Sequence, residues 1–201
     1  MAWTTPTTVA PGDAILASLW NSDVKGNTDY LKDEVDNIGL VHINTTTLTG
    51  SGGAAFDNVF TSTYTNYRII ITQDTHTSGS QPLRFYLRGS GSNTTNGFYQ
   101  YGIVMPHSGG LSQYQLANQA FCAVSSIVSA NQKYGSGAFD VLQPQLAEMT
   151  FLHGNTHDGG SANGVVYGVT HQGTISYDGF YLQAGAGNFS AVVRVFGYRN
   201  S

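Results

Sequence analysis

Residues 190–198 read SAVVRVFGY and alternate between two sets of side chains. Ala191, Val193, Val195 and Gly197 fall on one face of an extended chain, and the residues between them fall on the other. A period of two is typical of a β-strand that has one face buried. Residues 190–198 therefore predict a strand of a sheet that packs against a hydrophobic core.

The same kind of segment recurs through most of the chain and is separated by clusters of Gly, Ser, Thr and Asn. The predicted strands are Leu40–Thr49, Tyr67–Gln73, Leu83–Arg88, Phe98–Met105, Tyr114–Val124, Ala138–Leu142, Met149–His153, Val165–His171, Gly179–Ala184 and Ser190–Tyr198. No helical pattern lies between them, which favours an antiparallel β-sandwich, most closely a jelly roll. We therefore predict a mainly β protein in which residues 40–201 form a β-sandwich head.

The first 39 residues have a different pattern and are predicted to form a separate arm and α-helix. Asp13 follows Pro11-Gly12 and is a plausible N-cap for a helix that begins at Ala14, and Gly39 is a plausible end. A heptad seam runs along this helix through Ala17, Asn21, Val24, Thr28, Leu31, Val35 and Ile38. Such a seam predicts a short self-associating stalk or a docking helix, and packing of the helix on its own domain is the alternative.

Charge is concentrated in the same N-terminal segment. Residues 1–40 contain six acidic and two basic residues, whereas the rest of the chain has equal numbers of each. Only 10% of all residues are charged, against about 25% in ordinary domains. Without a basic patch we expect no nucleic-acid binding, and without an apolar run of about 18 residues we expect no membrane insertion. The N-terminus also lacks the cationic and apolar regions of a signal peptide.

Catalysis and metal binding have little support in the sequence. The acidic residues of segment 41–201 are scattered singly, whereas glycoside hydrolysis needs a pair of carboxyl groups. His153 and His157 lie in a glycine-rich segment with no glutamate between them, which disfavours a metalloprotease helix. The single cysteine, Cys122, is predicted to be a buried apolar residue. We predict that the protein is not an enzyme and that it needs no cofactor or metal.

Two segments resemble structural proteins of bacteriophages. The opening WTTPTTVAPGDAILASLWNSDVKGNTDYLK is similar to the N-terminal segment of phage tail-fibre and minor structural proteins; the matching residues are Trp3, Pro6, Gly12, Asn21, Asn27, Tyr30 and Leu31. FDNVFTSTYTNYRIIIT and the closing VVRVFGYRN resemble the first and last core strands of small phage fibre-head domains. Together these segments cover about a third of the chain.

The resemblance implies a virion protein, most simply a short tail fibre. The expected partners are two further copies of the chain in a homotrimer, other tail or capsid proteins, and host cell-surface polysaccharide. Large apolar residues beyond the seam, Trp3, Leu16, Leu19 and Trp20, are expected to dock into a virion partner. A capsid-decorating or head-fibre protein, or a baseplate adaptor without receptor binding, is the alternative.

Aromatic side chains beside polar loops are the candidates for receptor binding, because rings stack on sugars while amides and hydroxyls hydrogen-bond to them. The candidates are Phe98, Tyr99, Tyr101, His107, Tyr114, Tyr134, His153 and His157. We expect them on the loops Asn93–Tyr101, His107–Tyr114 and Asn131–Tyr134, with His153–Asn163 as a fourth candidate; the sequence does not specify which of these loops share one end of the sandwich. Packing of the tyrosines under loops or between subunits is the alternative interpretation.

Overall fold

The protein consists of two compact units in the computed structural model, which describes residues 3–14, 16–36, 39–77, 82–105, 111–124, 135–157 and 164–199. The first unit contains Met1–Gly39 with Arg199–Ser201, and the second contains Leu40–Tyr198. Within the described residues, no helix combines the length and the apolar character needed to cross a membrane.

The N-terminal unit is an extended arm followed by one interrupted helix. An α-helical turn, α1 (Ala17–Leu19), leads into a π-helical segment, Trp20–Gly26, and then into α2 (Asn27–Asp36). The predicted start at Ala14 and the predicted N-cap role of Asp13 are wrong. The helix begins after Leu16, and Asp13 instead accepts a 2.8 Å hydrogen bond from the Ala10 N–H, which folds the chain back upstream of the helix.

The second unit is a sandwich of two antiparallel sheets. Its strands are β1 (Leu40–Ser51), β2 (Gly53–Phe56), β3 (Asn66–His76), β4 (Leu83–Gly89), β5 (Ser92–Asn93), β6 (Phe98–Met105), β7 (Ser112–Gln119), β8 (Cys122–Ala123), β9 (Gly135–Leu142), β10 (Thr150–His157), β11 (Gly164–His171), β12 (Gly179–Ala184) and β13 (Phe189–Tyr198). The large sheet has the order β1-β13-β3-β9-β10-β11-β6-β7. The small sheet has the order β2-β12-β4-β5, and β8 also pairs with β4.

Eight of these strands have the connectivity of a jelly roll. In the large sheet β1, β13, β3 and β9 are neighbours, and in the small sheet β12 lies between β2 and β4, with β8 beside β4. Followed along the chain, β1, β3, β9 and β13 belong to the large sheet while β2, β4, β8 and β12 belong to the small one, which is the double Greek key of a jelly roll. The hairpins β6–β7 and β10–β11 extend the large sheet beyond β9, and the predicted fold class is confirmed.

A continuous apolar core fills the space between the two sheets. Along β13 the residues Ala191, Val193 and Val195 are fully buried, as the alternation in residues 190–198 predicts. Phe180 of β12 is also fully buried, with its ring 4.5 Å from that of Phe56. Cys122 is buried as predicted, and burial raises the pKa of its thiol far above the usual value, so it stays protonated and unreactive.

The connections between strands leave the large sheet at two opposite ends. The chain enters at Leu40 and leaves at Tyr198, which are paired partners at one end of the sheet. The connections β3–β4, β6–β7, β8–β9 and β10–β11 all start from strand ends at the other end, as the pairs Gln73–Gly135, His157–Ser136 and Gly164–Met105 show. Four loops of the sandwich therefore begin together at the end away from Leu40.

Candidate functional site

Asn27 fastens the N-terminal arm to the helix. Its Oδ1 accepts from the Thr4 N–H at 2.9 Å, and its Nδ2 donates to the Thr4 carbonyl oxygen at 2.8 Å. Asn27 is only 4% exposed, and no other side chain described in this unit is buried. The amide thus pairs with both polar groups of one arm residue, in the manner of a β-ladder.

The same side chain also enters the hydrogen-bond ladder of the helix, where the π-helical segment ends. Asn27 Nδ2 also donates to the Asp23 carbonyl oxygen at 3.1 Å, the acceptor that the Asn27 backbone N–H would use in an α-helix. That N–H donates instead to the carbonyl of Val24. The side chain and the backbone N–H of Asn27 thus satisfy the carbonyl oxygens of Asp23 and Val24, respectively.

Two further contacts hold the arm. The Asp23 carboxylate accepts from the Thr7 N–H at 2.6 Å, and this bond, with one from Ser22, lowers the pKa of Asp23. Trp3 meets Tyr30 edge to face, with ring centroids 6.2 Å apart. Trp3, Asn27 and Tyr30 thus all help to fasten the arm to the helix.

The predicted heptad seam is exposed but not continuous. A π-helical turn holds more residues than an α-helical turn, so Trp20–Gly26 shifts the residues that precede it out of phase with those that follow. The heptad positions therefore stay in α-helical phase within α2, at Thr28, Leu31 and Val35, and the association that the seam predicts stays a prediction. Ala17, Asn21, Val24, Thr28 and Leu31 are all exposed. Ile38 and the side chain of Val35 lie outside the described residues.

The predicted docking residues have unequal environments. Trp20 and Leu16 are 55% and 64% exposed, whereas Leu19 is partly buried. Trp3 is about half exposed, although its ring contacts that of Tyr30. Of the four predicted docking residues, Leu16 and Trp20 are thus the two that are mostly open to solvent.

Six of the eight receptor-binding candidates lie on strands, so the prediction that these six lie on loops is wrong. Tyr99 and Tyr101 belong to β6, and His153 and His157 belong to β10. All four face outward from the large sheet, because they alternate along their strands with buried residues. His107 and Tyr134 lie outside the described residues.

Two other candidates are directed into the sandwich. Phe98 is fully buried with its ring 4.5 Å from that of His171, so it cannot stack on a ligand. Tyr114 is half-buried, and its hydroxyl accepts a 2.9 Å hydrogen bond from Gln100 Nε2. Burial raises the pKa of Tyr114 to about 12. Both rings support the fold rather than a surface site.

Strand register places five outward-facing residues in one row across the large sheet. Tyr101 pairs with Gly168, Gly168 with His153, His153 with Asp140, and Asp140 with Arg68. Tyr101 is 51% exposed, and its hydroxyl donates to Gln113 Oε1 at 2.7 Å, which fixes the ring on the surface. An added Cβ on Gly168 would meet nothing within 4 Å, so the row has an open gap between Tyr101 and His153.

Asp140 is the centre of a polar cluster in this row. Its Oδ1 accepts from the Tyr198 hydroxyl at 2.6 Å and lies 3.5 Å from Arg68 Nε, while its Oδ2 lies 3.4 Å from His153 Nε2. Burial, followed by this hydrogen bond to a carboxylate, raises the pKa of Tyr198 to about 12 and keeps its hydroxyl protonated as a donor. The carboxylate therefore has a fixed direction and three polar neighbours.

A cavity of about 260 Å³ opens beside this cluster. It is lined by Arg68, Ala138, Asp140, His153, Gly154, Asn155, Val166 and Tyr167. Asn155 and Val166 lie one row further along the strands and face the same way as His153. Its lining combines charged and amide side chains with apolar ones, so it offers hydrogen bonding and apolar contact. Among the described residues there is no group of three His, Cys, Asp or Glu that could hold a metal ion.

The sequence predicted part of this surface and missed the rest. Tyr101 and His153 were recognised as ring side chains near polar segments, whereas Arg68, Asp140, Asn155 and Tyr198 were not. Arg68, Asp140 and Tyr198 alternate with buried residues along predicted strands, whereas Asn155 lies beyond the predicted end of its strand at His153. Their convergence depends on strand order and register, which the sequence pattern does not specify. Comparison of the chain with models of protein families and with curated protein sequences gives no match.

Proposed function

We propose that this protein is a bacteriophage virion protein, a short tail fibre that forms a homotrimer and attaches to the particle by its N-terminal unit. Its β-sandwich binds polysaccharide on the host surface. The observation that carries the proposal is the contrast between the two units. The sandwich closes a complete apolar core, whereas the N-terminal helix leaves Leu16, Trp20 and Leu31 exposed in a single chain.

Trimer formation is supported by the exposed seam of α2. Thr28 and Leu31 lie one turn apart on a face that the arm does not cover, since the arm contacts Asn27 and Asp23. Three copies of Leu31 around an axis would bury apolar surface that one copy leaves in water. A helix of ten residues is marginal alone, so association would stabilise α2 as well as join the chains.

Attachment is supported by the large side chains at the start of the helix. Leu16 and Trp20 lie outside the α2 seam, and large aromatics of this kind are typical anchors of protein interfaces. We therefore infer that this segment docks onto another protein of the tail or capsid.

Glycan binding is supported by the outward face of the large sheet. It combines the fixed ring of Tyr101 with the donors and acceptors of His153, Asn155 and Asp140. Three copies of such a face would convert weak binding at each site into strong attachment through avidity.

The oligomeric state of the full chain tests the assembly part of the proposal. Light scattering should give the mass of a trimer, and Leu31→Asp should shift it towards the monomer because three buried carboxylates would repel one another. Leu111→Asp is the matched control, since Leu111 is an exposed leucine of the sandwich. A monomeric wild-type chain would refute the trimer.

The location of the protein tests the virion part. Antibody labelling of particles should mark the tail, and the purified full chain should block adsorption of the phage to its host. Labelling of the head shell would favour the capsid-decoration alternative. Labelling of the baseplate without any block of adsorption would favour an adaptor, and unlabelled particles would refute a virion role.

A further inference from the structure

The cavity beside Asp140 has the chemistry of a site for one sugar ring. We propose that it binds a single uncharged hexose through two neighbouring hydroxyl groups, with the next residue of the glycan lying over Gly168 against Tyr101. This inference rests on the proposed function, of which it names the ligand class.

Hydroxyl groups both donate and accept, so a diol needs a mixed set of partners. The Asp140 carboxylate supplies acceptors, and the Arg68 guanidinium and the Asn155 amide supply donors around the same cavity. Tyr198 and Arg68 already direct the carboxylate through Oδ1, so little ordering is needed when the ligand binds. Val166 and Ala138 line the same cavity with apolar atoms that suit the C–H face of a ring.

The size of the cavity limits what it holds. At about 260 Å³ it is smaller than the sites of drug-sized ligands, which span roughly 300–1,000 Å³. One ring fills it, and a longer glycan must continue outside. Among the lining residues, the charges of Arg68 and Asp140 offset each other.

The Asp140 carboxylate disfavours the binding of an acidic sugar. A ligand carboxylate in the cavity would approach Asp140, and two like charges at close range repel strongly away from bulk water. Arg68 offers little compensation because its charge is already opposed by Asp140 at 3.5 Å. An uncharged hexose avoids this repulsion and still uses the charged groups as strong hydrogen-bond partners.

Gly168 provides the route for the rest of the glycan. It separates Tyr101 from His153 by two strand spacings, about 10 Å, and nothing lies within 4 Å of where its Cβ would stand. A sugar residue fits this gap with its face against the Tyr101 ring, which Gln113 holds in place. A side chain at position 168 would close the gap without disturbing the core, because the position faces outward.

The test is a titration of the full chain with the methyl glycosides of glucose, galactose and mannose, and with methyl glucuronide, followed by amide NMR shifts. At least one neutral glycoside should shift amides of residues 138–140, 153–155 and 166–168. Arg68→Gln should weaken that binding about tenfold or more. Gly168→Val should leave the single glycoside bound but weaken a host oligosaccharide about tenfold.

Two variants serve as controls for structure and surface. Arg194→Gln removes an exposed arginine on the same face of the sheet, outside the cavity lining. Ala55→Val adds a β-branched side chain to the exposed face of the small sheet. Both should bind as the wild type does, and a thermal melt should show each test variant folded.

Several results would overturn the inference. They are tighter binding of the glucuronide than of every neutral glycoside, no binding of any neutral glycoside, or unchanged glycoside binding by folded Arg68→Gln. If the wild type still blocks phage adsorption in those cases, the tail-fibre proposal stands and only the sugar site fails. Binding of a neutral glycoside without any block of adsorption would retain the site and refute the fibre.

Discussion

The two units of this chain are held together by different forces. The sandwich buries aromatic and aliphatic side chains from both sheets in one core, and this burial is the dominant favourable term in folding. In the N-terminal unit the only buried side chain among those described is an amide, and hydrogen bonds to Thr4 and Thr7 hold its arm. The described part of the sandwich therefore has a hydrophobic core of its own, whereas the described part of the N-terminal unit has none.

Removing the centre of the core is the most severe way to test this contrast. Phe180 is fully buried and stacks on Phe56 at 4.5 Å and on Phe85 at 5.2 Å. Phe180→Ala should lower the free energy of unfolding by about 3–5 kcal/mol, because it removes apolar contacts and leaves a cavity. Urea unfolding followed by circular dichroism measures the loss.

The matched change in the other unit is Trp20→Ala. Trp20 is 55% exposed in a single chain, so its loss should alter the unfolding of the sandwich by no more than about 0.5 kcal/mol. Comparable losses in the two variants would contradict the contrast between the units.

Acid should destabilise the sandwich before it affects the N-terminal arm, because the sandwich contains the buried His171. This histidine is 2% exposed, with Nε2 3.0 Å from the Asn96 carbonyl oxygen and Nδ1 accepting from Gly173 N–H. Burial lowers the pKa of His171, so the folded state favours the neutral ring. Since the unfolded chain takes up a proton near pH 6.5, this stability is complete above about pH 6.5 and is lost as the pH falls below it.

The free energy of unfolding should fall by at most about 1.4 kcal/mol per pH unit over the first unit below pH 6.5. Urea unfolding at intervals between about pH 7.5 and pH 5 should show this slope in the wild type and not in His171→Gln. His42→Gln, at an exposed histidine of β1, is the matched control. Parallel curves for the wild type and His171→Gln would exclude His171 as the cause. The arm should persist over this range, since the pKa of Asp23 is lowered and its bond to Thr7 N–H is lost only in stronger acid.

Much of the fold could be predicted from the sequence because alternation and turn composition are local. β6 and β12 have the predicted bounds, and the other eight predicted segments all coincide with strands, although Tyr114–Val124 divides into β7 and β8. The short strands β2 and β5 were missed, since two to four residues are too few for a period to appear. The number of strands and the absence of helices between them predicted the jelly-roll class, but they did not predict the order of the strands in each sheet.

The candidate site was less predictable, because it depends on long-range register. Arg68, Asp140 and His153 are separated by many residues in sequence, and only the pairing of β3, β9 and β10 brings them into one row. Phe98 and Tyr101 look alike in sequence, yet one is buried and the other exposed because they lie three positions apart on an alternating strand. The π-helical segment was missed for a related reason, since a heptad count assumes an unbroken α-helix.

The smallest expected effect concerns the Asn27 side-chain hydrogen bonds that hold the arm against the helix. Asn27→Ala removes both hydrogen bonds to Thr4 and the one to the Asp23 carbonyl, so the arm should detach without unfolding the sandwich. One hydrogen bond contributes about 0.5–1.5 kcal/mol net, which predicts roughly tenfold faster hydrogen exchange at the Thr4 and Thr7 amides. Exchange followed by NMR measures this directly.

Asn21→Ala is the matched control, because Asn21 is an exposed asparagine of the same helix and should leave both amides protected. If Asn27→Ala left their exchange unchanged, Asn27 would not hold the arm. If it also lowered the free energy of unfolding of the sandwich by more than about 1 kcal/mol, the two units would not be independent.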